Sequence, residues 1–514
     1  MPLVSTLPSP LRVIHIMGVG GTAMAALAGM LVDLGYTVTG SDTAVYPPMS
    51  DYLAKLGIRV MQGYKAENLA HRPDLVVVGN VIRASYEEAE ALLDSEIPYM
   101  SFPALLGAMF LENRRSLVIA GTHGKTTTTS LAAWILESAG KNPGFLVGGV
   151  PLNFDRTARA GGGEVFVVEG DEYDTAFFDK GPKFLHYRPT SAILTSVEFD
   201  HADIYRDLAH VQDSFRKLVA LIPAEGTLVA WWDADAVVEV AREAKATVLR
   251  YGPGQDWDGR IEDVDTTTGQ MRFTVLHEGR AWGTFHSCMV GAHNLYNQVA
   301  VAALLSREGL DPAALAKGFA SFRGIKRRQE IIGEPGGITV LDDFAHHPTA
   351  VRVTLDALRT RFGQRRLWAV FEPRSNTSRR AVFQQEYPGA FDQADLIVIA
   401  PPVDLARIAD DERFDGERLV RDLRARGREA FLAPLPPGVE PSAPAIADAI
   451  TALISANAIP EDVIAILSNG GFGGLHKKLL AALEARTSQD TLNRPGQILT
   501  GSIGASGQTP IGEG

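Results

Sequence analysis

Gly121-Thr122-His123-Gly124-Lys125-Thr126 follows an apolar run at 117–120 and leads through Thr127-Thr128-Thr129-Ser130 into a helix-like stretch at 131–139. A strand, a glycine turn, Lys-Thr and a helix make a phosphate cradle. Turn amides and the helix N-terminus point at an anion, Lys125 adds a charge, and the Thr126 hydroxyl can ligate Mg²⁺. The general P-loop pattern has a glycine where this chain has Ile119. The reading is a nucleoside triphosphate site: ATP held by Gly121, Thr122, His123, Gly124, Lys125, Thr126 and Thr127.

An ATP site needs carboxylate or imidazole groups for Mg²⁺ opposite the phosphates. Two acidic stretches offer them. Glu169-Gly170-Asp171-Glu172-Tyr173-Asp174 follows a strand at 165–168, and Glu198-Phe199-Asp200-His201-Ala202-Asp203 follows one at 191–195. Both are expected just past strand ends, where open α/β sheets bind ligands. Either alone reads as a solvated loop; below a P-loop the metal reading wins. Farther on, Asn294 and Asn297 stand three apart at the start of a helix and share one face. Two such amides could read a base edge, whereas capping would explain only one.

Upstream, a strand at 12–17 runs into Gly18-Val19-Gly20-Gly21-Thr22-Ala23 and a helix at 24–34, and the strand at 37–39 ends at Gly40-Ser41-Asp42. This is the dinucleotide-fold fingerprint with alanine in its third position and an acidic residue after the next strand. The glycines bring backbone close to a pyrophosphate, and Asp42 suits a ribose diol. On the motif alone NAD comes first, and a UDP-sugar fits as well.

The strand–helix alternation gives an α/β chain of three domains. Residues 1–113 form an N-terminal Rossmann-like unit, 114–324 a central P-loop ATPase unit with a parallel-rich sheet, and 325–486 a C-terminal Rossmann-like unit. The third opens after a basic run, Arg323, Lys326, Arg327 and Arg328, and has strands at 338–341, 367–371, 396–399 and 463–467. Residues 487–514, rich in Gly, Ser, Thr and Pro, are expected to be a disordered tail.

Composition agrees. A chain of 514 residues exceeds one ordinary core. A net charge of −12 without a long basic stretch speaks against nucleic-acid and anionic-membrane partners. Cys288, the single cysteine, excludes an intrachain disulfide and Cys-rich zinc sites, and its apolar context reads as core. No signal peptide or span of ~18 apolar residues is evident, so a cytoplasmic enzyme is expected.

In this order the motifs resemble one family, the Mur ligases of bacterial cell-wall synthesis, from Val13 to about Leu483. The resemblance implies a UDP-sugar domain, an ATPase domain and a C-terminal Rossmann-like domain, and it replaces NAD with a UDP-sugar at the first turn. The Gly-Val-Gly-Gly-Thr-Ala-Met stretch from Gly18 and Gly40-Ser41-Asp42 look like the branch that joins UDP-N-acetylmuramate to L-alanine. The stretch from Phe166 to Lys180, His186-Tyr187-Arg188-Pro189 and Phe199-Asp200-His201-Ala202-Asp203 lean toward a sister branch. So do Asp342-Asp343-Phe344-Ala345-His346-His347-Pro348, Glu372-Pro373-Arg374-Ser375-Asn376 and Ser468-Asn469-Gly470-Gly471-Phe472, with Phe344 where the L-alanine branch has tyrosine. That sister branch joins UDP-N-acetylmuramate to the murein tripeptide L-alanyl-γ-D-glutamyl-meso-diaminopimelate, recycled from the cell wall.

The resemblance further implies an acyl phosphate, made from ATP and the muramate carboxylate and attacked by the peptide amine. Lys125, His201, Arg327 and His346 are the implied catalytic set. Lys125 would hold the β/γ-phosphates, and Thr126, Glu169 and His201 would ligate Mg²⁺. Asn294 and Asn297 would hold adenine, with His293 beside it. Arg327 would reach a transferring phosphate or the sugar diphosphate, and Asp343 the ATP ribose or the incoming amine. His346, or His347 in its place, would contact substrate or move a proton. Gly18, Gly20 and Gly21 would line the UDP-sugar diphosphate, with Ser41 and Asp42 near the nucleotide. Arg374 would pair with a tripeptide carboxylate, since a guanidinium grips carboxylates two-pronged. Many relatives place a carbamylated lysine after the Asp-His motif; Arg216-Lys217 occupy that neighbourhood here, and no modification is assigned to Lys217. A monomer or weak homo-oligomer that closes around its substrates is expected. The alternatives are the L-alanine ligase and a non-catalytic nucleotide- or UDP-sugar-sensing protein.

Overall fold

The computed structural model describes residues 3–4, 6–46, 49–202, 204–406 and 408–493. Asp203 of the second acidic stretch lies outside the described residues.

Three sheets follow one another along the chain. The first is all parallel, in the order Arg59–Gln62, Thr37–Asp42, Val13–Met17, Leu75–Val78, Tyr99–Ser101. Its central strands carry apolar side chains on both faces because helices cover both; Ile14, Ile16, Val76, Val77 and Val78 are fully buried. Helix Thr22–Asp33 packs Ala25, Leu27, Ala28 and Leu31 onto one face.

The central sheet has ten strands, with Arg115–Ala120 between Ser191–Leu194 and Val165–Gly170. The chain leaves this strand to build one side of the sheet and returns later to build the other. Its carboxyl end is therefore a topological switch point, where a crevice opens between flanking loops. Both acidic stretches emerge beside it. Glu169 is not past the strand end as expected: it is the fifth residue of Val165–Gly170, in register with Ile119. The sheet continues through Thr227–Trp231 and Thr247–Tyr251 into an antiparallel wing, Trp257–Asp265, Gln270–His277 and Arg280–Ser287, that the sequence reading did not identify.

The third sheet runs Glu330–Gly333, Thr339–Asp343, Val463–Leu467, Leu367–Phe371, Leu396–Ile399, Glu429–Leu432. Only its first pair is antiparallel. Separate apolar clusters cover its two faces, one around Phe371, Tyr387 and Phe391, the other around Trp368, Ile464 and Leu479. The first two sheets instead share one cluster, in which Leu27 and Leu31 belong with Phe166 and Val168. The third unit is thus the separable one. It is reached through a short crossing where the Leu152 N–H donates to Gly324 O (3.0 Å) and the Lys326 N–H to Val150 O (3.0 Å).

The last helix, Leu475–Asn493, takes in residues 487–493 of the expected tail, which are therefore helical; 494–514 lie outside the described residues. No described helix is long and apolar enough to cross a membrane.

Candidate active site

The P-loop turn is set by two glycines with positive φ. Gly124 (φ +79°) caps helix Lys125–Ser138, and a Cβ on Gly121 (φ +130°) would sit 2.2 Å from Thr195 Oγ1. The helix opens with a hydroxyl run that would be poor in a buried helix unless satisfied. Thr129 and Ser130 donate to the Lys125 and Thr126 carbonyls at 2.8 and 2.7 Å, whereas the buried Thr128 Oγ1 has no hydrogen-bond partner.

Lys125 Nζ donates to the Gly121 and Thr122 carbonyls (2.6 and 3.2 Å) and pairs with Glu172 Oε1 at 2.9 Å. The same oxygen lies 3.3 Å from His201 Nε2, and His201 Nδ1 is 2.6 Å from the Tyr173 hydroxyl. Thr126 Oγ1 donates to Glu169 Oε1 (2.8 Å), whose other oxygen accepts the Gly148 N–H (2.7 Å). The structure thus brings together Lys125, Thr126, Glu169 and His201, and it adds Glu172, which the sequence reading left unassigned. The available signal was position: Glu172 lies in the acidic stretch three residues beyond Glu169.

Burial opposes each charge here, and neighbours decide the outcome. Desolvation would lower Lys125, but Glu172, with Glu169 and Asp171 nearby, holds it above the usual lysine value. Desolvation would raise Glu172, but Lys125 and His201 bring it below the usual carboxyl value. Glu169 is the exception: burial raises it despite Gly148, Lys125 and Thr126. Glu172 Oε2 is buried without a hydrogen-bond partner. A buried carboxylate short of positive charge beside a hydroxyl and an orphaned oxygen is a donor set that fits Mg²⁺, a hard cation taking oxygen ligands. Thr122, Glu172, Glu198, Asp200, His201, Tyr205 and Val211 line one cavity there. A cavity of about 370 Å³ lies elsewhere, lined by Glu334, Thr339, Arg365 and Glu461 at the opposite, N-terminal ends of the third sheet's strands.

The amides of helix Ala292–Arg307 abut this loop. A Cβ on Gly124 would meet Asn297 Oδ1 at 3.0 Å, and the Asn297 amide donates to Asn294 Oδ1 (3.4 Å). Asn294 Nδ2 is taken by the Val290 carbonyl at 2.9 Å. Burial pushes His293 down to about 4, so it is neutral.

From the third unit, His346 Nδ1 lies 3.0 Å from Phe344 O, and burial lowers its pKa against the pull of Asp200. Tyr387 fixes the His346 carbonyl (2.7 Å), and Phe199 packs against the third unit's core. Arg327 is not brought to the phosphate loop. Its guanidinium donates to Asp342 Oδ2 (3.1 Å) and to the Ser468 and Gly470 carbonyls (2.7 and 2.8 Å). The next residue, Arg328, adds its charge to that of Lys125 at Glu169 and also acts on Asp343; it lies over the Phe344 ring at 4.9 Å, with Arg327 over the same ring at 5.3 Å. Arg327 has a left-handed φ of +62°. Asp343 is likewise engaged within its own unit, accepting the Ala345 and Gln329 N–H groups at 2.8 Å each. Arg374 is ion-paired with Asp404 at an exposed edge. Lys217 is exposed on helix Leu208–Leu221.

At the first glycine turn, Gly18 (φ +83°) and Val19 donate to Ser41 O at 2.8 and 3.2 Å, and Gly20 N–H donates to Asp42 Oδ2 at 2.9 Å. A Cβ on Gly40 would stand 2.6 Å from Val19 Cβ, so the close strand-to-turn approach needs glycine. Ser41 Oγ is buried without a hydrogen-bond partner. Tyr64, stacked on Tyr86, donates to Asp42 Oδ1 at 3.4 Å.

Three family models match the chain in order. They are the Mur ligase family catalytic domain over residues 13–114, the Mur ligase middle domain over 119–305, and the Mur ligase glutamate ligase domain over 327–470. The chain is 40% identical over 471 residues to the UDP-N-acetylmuramate–L-alanyl-γ-D-glutamyl-meso-2,6-diaminoheptandioate ligase of Escherichia coli (strain K12), covering 91% of this chain and 98% of that one. It is 33% identical over 473 residues to the UDP-N-acetylmuramate–L-alanine ligase of Burkholderia multivorans, covering 91% and 97%. A crystal structure of a murein peptide ligase from Psychrobacter arcticus matches with a TM-score of 0.66 at 35% identity, covering 92% and 99%.

Proposed function

The chain belongs to the Mur ligase family of ATP-dependent, amide-forming ligases, and from that premise we propose that it joins UDP-N-acetylmuramate to L-alanyl-γ-D-glutamyl-meso-diaminopimelate in murein recycling. One observation carries the choice of acceptor: over nearly the whole chain, identity is 40% to a relative named for the tripeptide and 33% to one named for L-alanine.

The chemistry is the one that the family resemblance implies, and the site is consistent with it. A carboxylate oxygen of the muramate lactyl group attacks the γ-phosphorus and ADP leaves, giving an acyl phosphate. The amine of the tripeptide's L-alanine then attacks the acyl carbon, loses a proton, and expels phosphate. Little covalent work is left to the protein, so catalysis is positioning and charge neutralisation. Lys125 moves from its carbonyl and Glu172 partners onto the β/γ-phosphates. Thr126 and Glu169 would hold one Mg²⁺ and His201 a second, and these ions would neutralise phosphate charge. Glu172 keeps Lys125 and His201 aligned. Arg328, over Phe344, supplies the cation expected of Arg327. His346, kept neutral by burial, takes the proton lost by the attacking amine. Asn297 and Asn294 border the adenine side, with His293.

The first glycine turn binds the UDP-sugar through Gly18, Gly20 and Gly21, with Ser41 and Asp42 at the nucleotide. Arg374 exchanges Asp404 for a carboxylate of the tripeptide. The working units divide near 113/114 and 324/325, and the protein acts in the cytoplasm as a monomer or weak homo-oligomer.

The test is ATP-dependent phosphate release with UDP-N-acetylmuramate and either L-alanine or the tripeptide. Release with the tripeptide alone is expected; release with L-alanine alone would move the protein to the biosynthetic branch.

A further inference from the structure

Where the third unit meets the P-loop, two imidazoles and a carboxylate converge whose side chains take no part in the chemical steps proposed above. His123 belongs to the phosphate loop, Glu198 opens the second acidic stretch, and His347 caps helix Pro348–Phe362 of the third unit. His123 Nε2 lies 3.4 Å and His347 Nδ1 3.9 Å from the same oxygen, Glu198 Oε2. One nitrogen from each histidine and one carboxylate oxygen all lie within 4.8 Å of one another. The imidazole centroids are 4.7 Å apart.

We propose that His123, Glu198 and His347 form a site for a zinc-class divalent cation that staples the third unit to the phosphate loop. The inference holds whichever amine the protein accepts.

Ligands about 2.1 Å from a tetrahedral metal stand about 3.4 Å from one another. The His123–Glu198 edge has that length, and the His347–Glu198 edge needs a contraction of about half an ångström. Two imidazoles with one carboxylate suit zinc or cobalt; Mg²⁺ wants an octahedron of oxygens. Three protein ligands leave a fourth position for water, the usual composition of an open zinc site.

One orphaned atom supports a ligand here: His123 Nε2, the nitrogen that faces Glu198, is buried without a hydrogen-bond partner, and the His347 side chain opposite is only 4% exposed. Native interiors rarely leave such nitrogens unmatched. Protonation states agree with coordination. Burial, with His123 adding repulsion, takes His347 down to about 4, and Glu198 is brought to about 2 by His123 and Thr349 despite its burial. A neutral imidazole and an ionised carboxylate are the ligating forms. Two competitors are visible, both from Thr349: its hydroxyl donates to Glu198 Oε2 at 2.8 Å and its backbone N–H to His347 Nδ1 at 3.2 Å, the helix cap that the cation must loosen. A cation would displace the hydroxyl.

The experiment uses the full chain, stripped with a chelator and then saturated with Mg²⁺ and a non-hydrolysable ATP analogue. Cobalt(II) is titrated and read by its tetrahedral d–d absorption, then challenged with zinc. One Co²⁺ per chain, displaced by zinc, is expected. His347→Gln and Glu198→Gln should each weaken binding by about 100-fold, while Glu169→Gln leaves it unchanged. Absence of the band, or a band lost in Glu169→Gln and kept in His347→Gln, would overturn the proposal. Should His347→Gln fail to fold, Thr349→Val decides. Removing the competing hydroxyl should tighten Co²⁺ binding, and unchanged or weaker binding there would count against the site.

Discussion

Two strand–glycine–helix turns stand in this chain, and their backbones do nearly the same thing. Gly18–Gly21 and Gly121–Gly124 both turn through positive φ and aim helix N-terminal amides at an anion. Their side chains differ. The first turn is met by a carboxylate, Asp42, and by Tyr64 behind it. The second is met by Lys125, itself held between Glu172 and the turn carbonyls, with Thr126 on Glu169 and His201 on Glu172. Backbone amides suffice to bind a phosphate whose charge stays put. A phosphate whose charge moves needs side chains that can follow it. On the proposed function, the first turn would hold its phosphates and the second would work on those that react.

Lys125→Ala should therefore have the largest effect. We expect kcat for phosphate release to fall about 1000-fold while UDP-sugar binding, measured by calorimetry, stays within twofold. The buried Glu172 loses its partner, so a drop of about 3 kcal/mol in stability should accompany it. Equal damage to both ligands would erase the distinction between the turns.

Next in size is a matched pair of backbone tests. An alanine at Gly121 puts its Cβ 2.2 Å from Thr195 Oγ1 and 2.8 Å from Ser196 N; at Gly18 the nearest atom is Val81 Cγ2 at 3.3 Å, on an exposed side chain. Urea unfolding should show a loss of about 3 kcal/mol or more for Gly121→Ala and about 1 kcal/mol for Gly18→Ala. The reverse order would mean that the first turn is the tighter one.

These differences are only partly legible in the sequence. The strands Leu75–Val78, Leu367–Phe371, Leu396–Ile399 and Val463–Leu467 read at their observed bounds because they are apolar on both faces and flanked by turn residues. Trp257–Asp265 did not, since Asp258, Arg260, Glu262 and Asp263 fill its solvent side and hide the strand among charges. At the site, the Gly-Lys-Thr turn named Lys125 and Thr126 locally, whereas Glu169 and His201 were named by the family resemblance; the Thr126–Glu169 and Lys125–Glu172 pairings span 43 and 47 residues of chain, and Glu172 was left unassigned. Arg327 and Arg328 are adjacent and chemically alike, and both guanidiniums lie over Phe344, at 5.3 and 4.9 Å; only the structure shows that Arg327 is also held by Asp342 while the charge of Arg328 reaches Glu169 and Asp343.

The phosphate turn also has a helix behind it, Ala292–Arg307, with no counterpart in the reading of the first turn. His293 near its head tests that packing through pH. Its folded pKa of about 4 lies below the usual 6.5 because burial disfavours the charge. As pH falls through 6.5 the unfolded chain takes up the proton first. Stability is then lost down to about pH 4 and is flat above 6.5. In His293→Asn the decline between pH 6.5 and 4 should shrink by about 2 kcal/mol, allowing for partial solvent screening. An unchanged slope would mean the acid response comes from elsewhere.

The smallest effect bears most directly on the first turn. Asp42 accepts the Gly20 N–H that an incoming diphosphate would also use. Two roles are therefore open to its carboxylate, and they differ in sign. If Asp42 meets the nucleotide's ribose, Asp42→Ala removes binding that is the same in ground and transition states. KM for UDP-N-acetylmuramate then rises about tenfold with kcat unchanged. If Asp42 instead occupies the anion's place, its removal frees the amide and KM falls. Steady-state kinetics at saturating ATP and tripeptide read the sign directly. We expect the rise. Tyr64, stacked on Tyr86, donates toward the other carboxylate oxygen and helps fix the carboxylate's position, and an oriented carboxylate is what recognition of a diol requires.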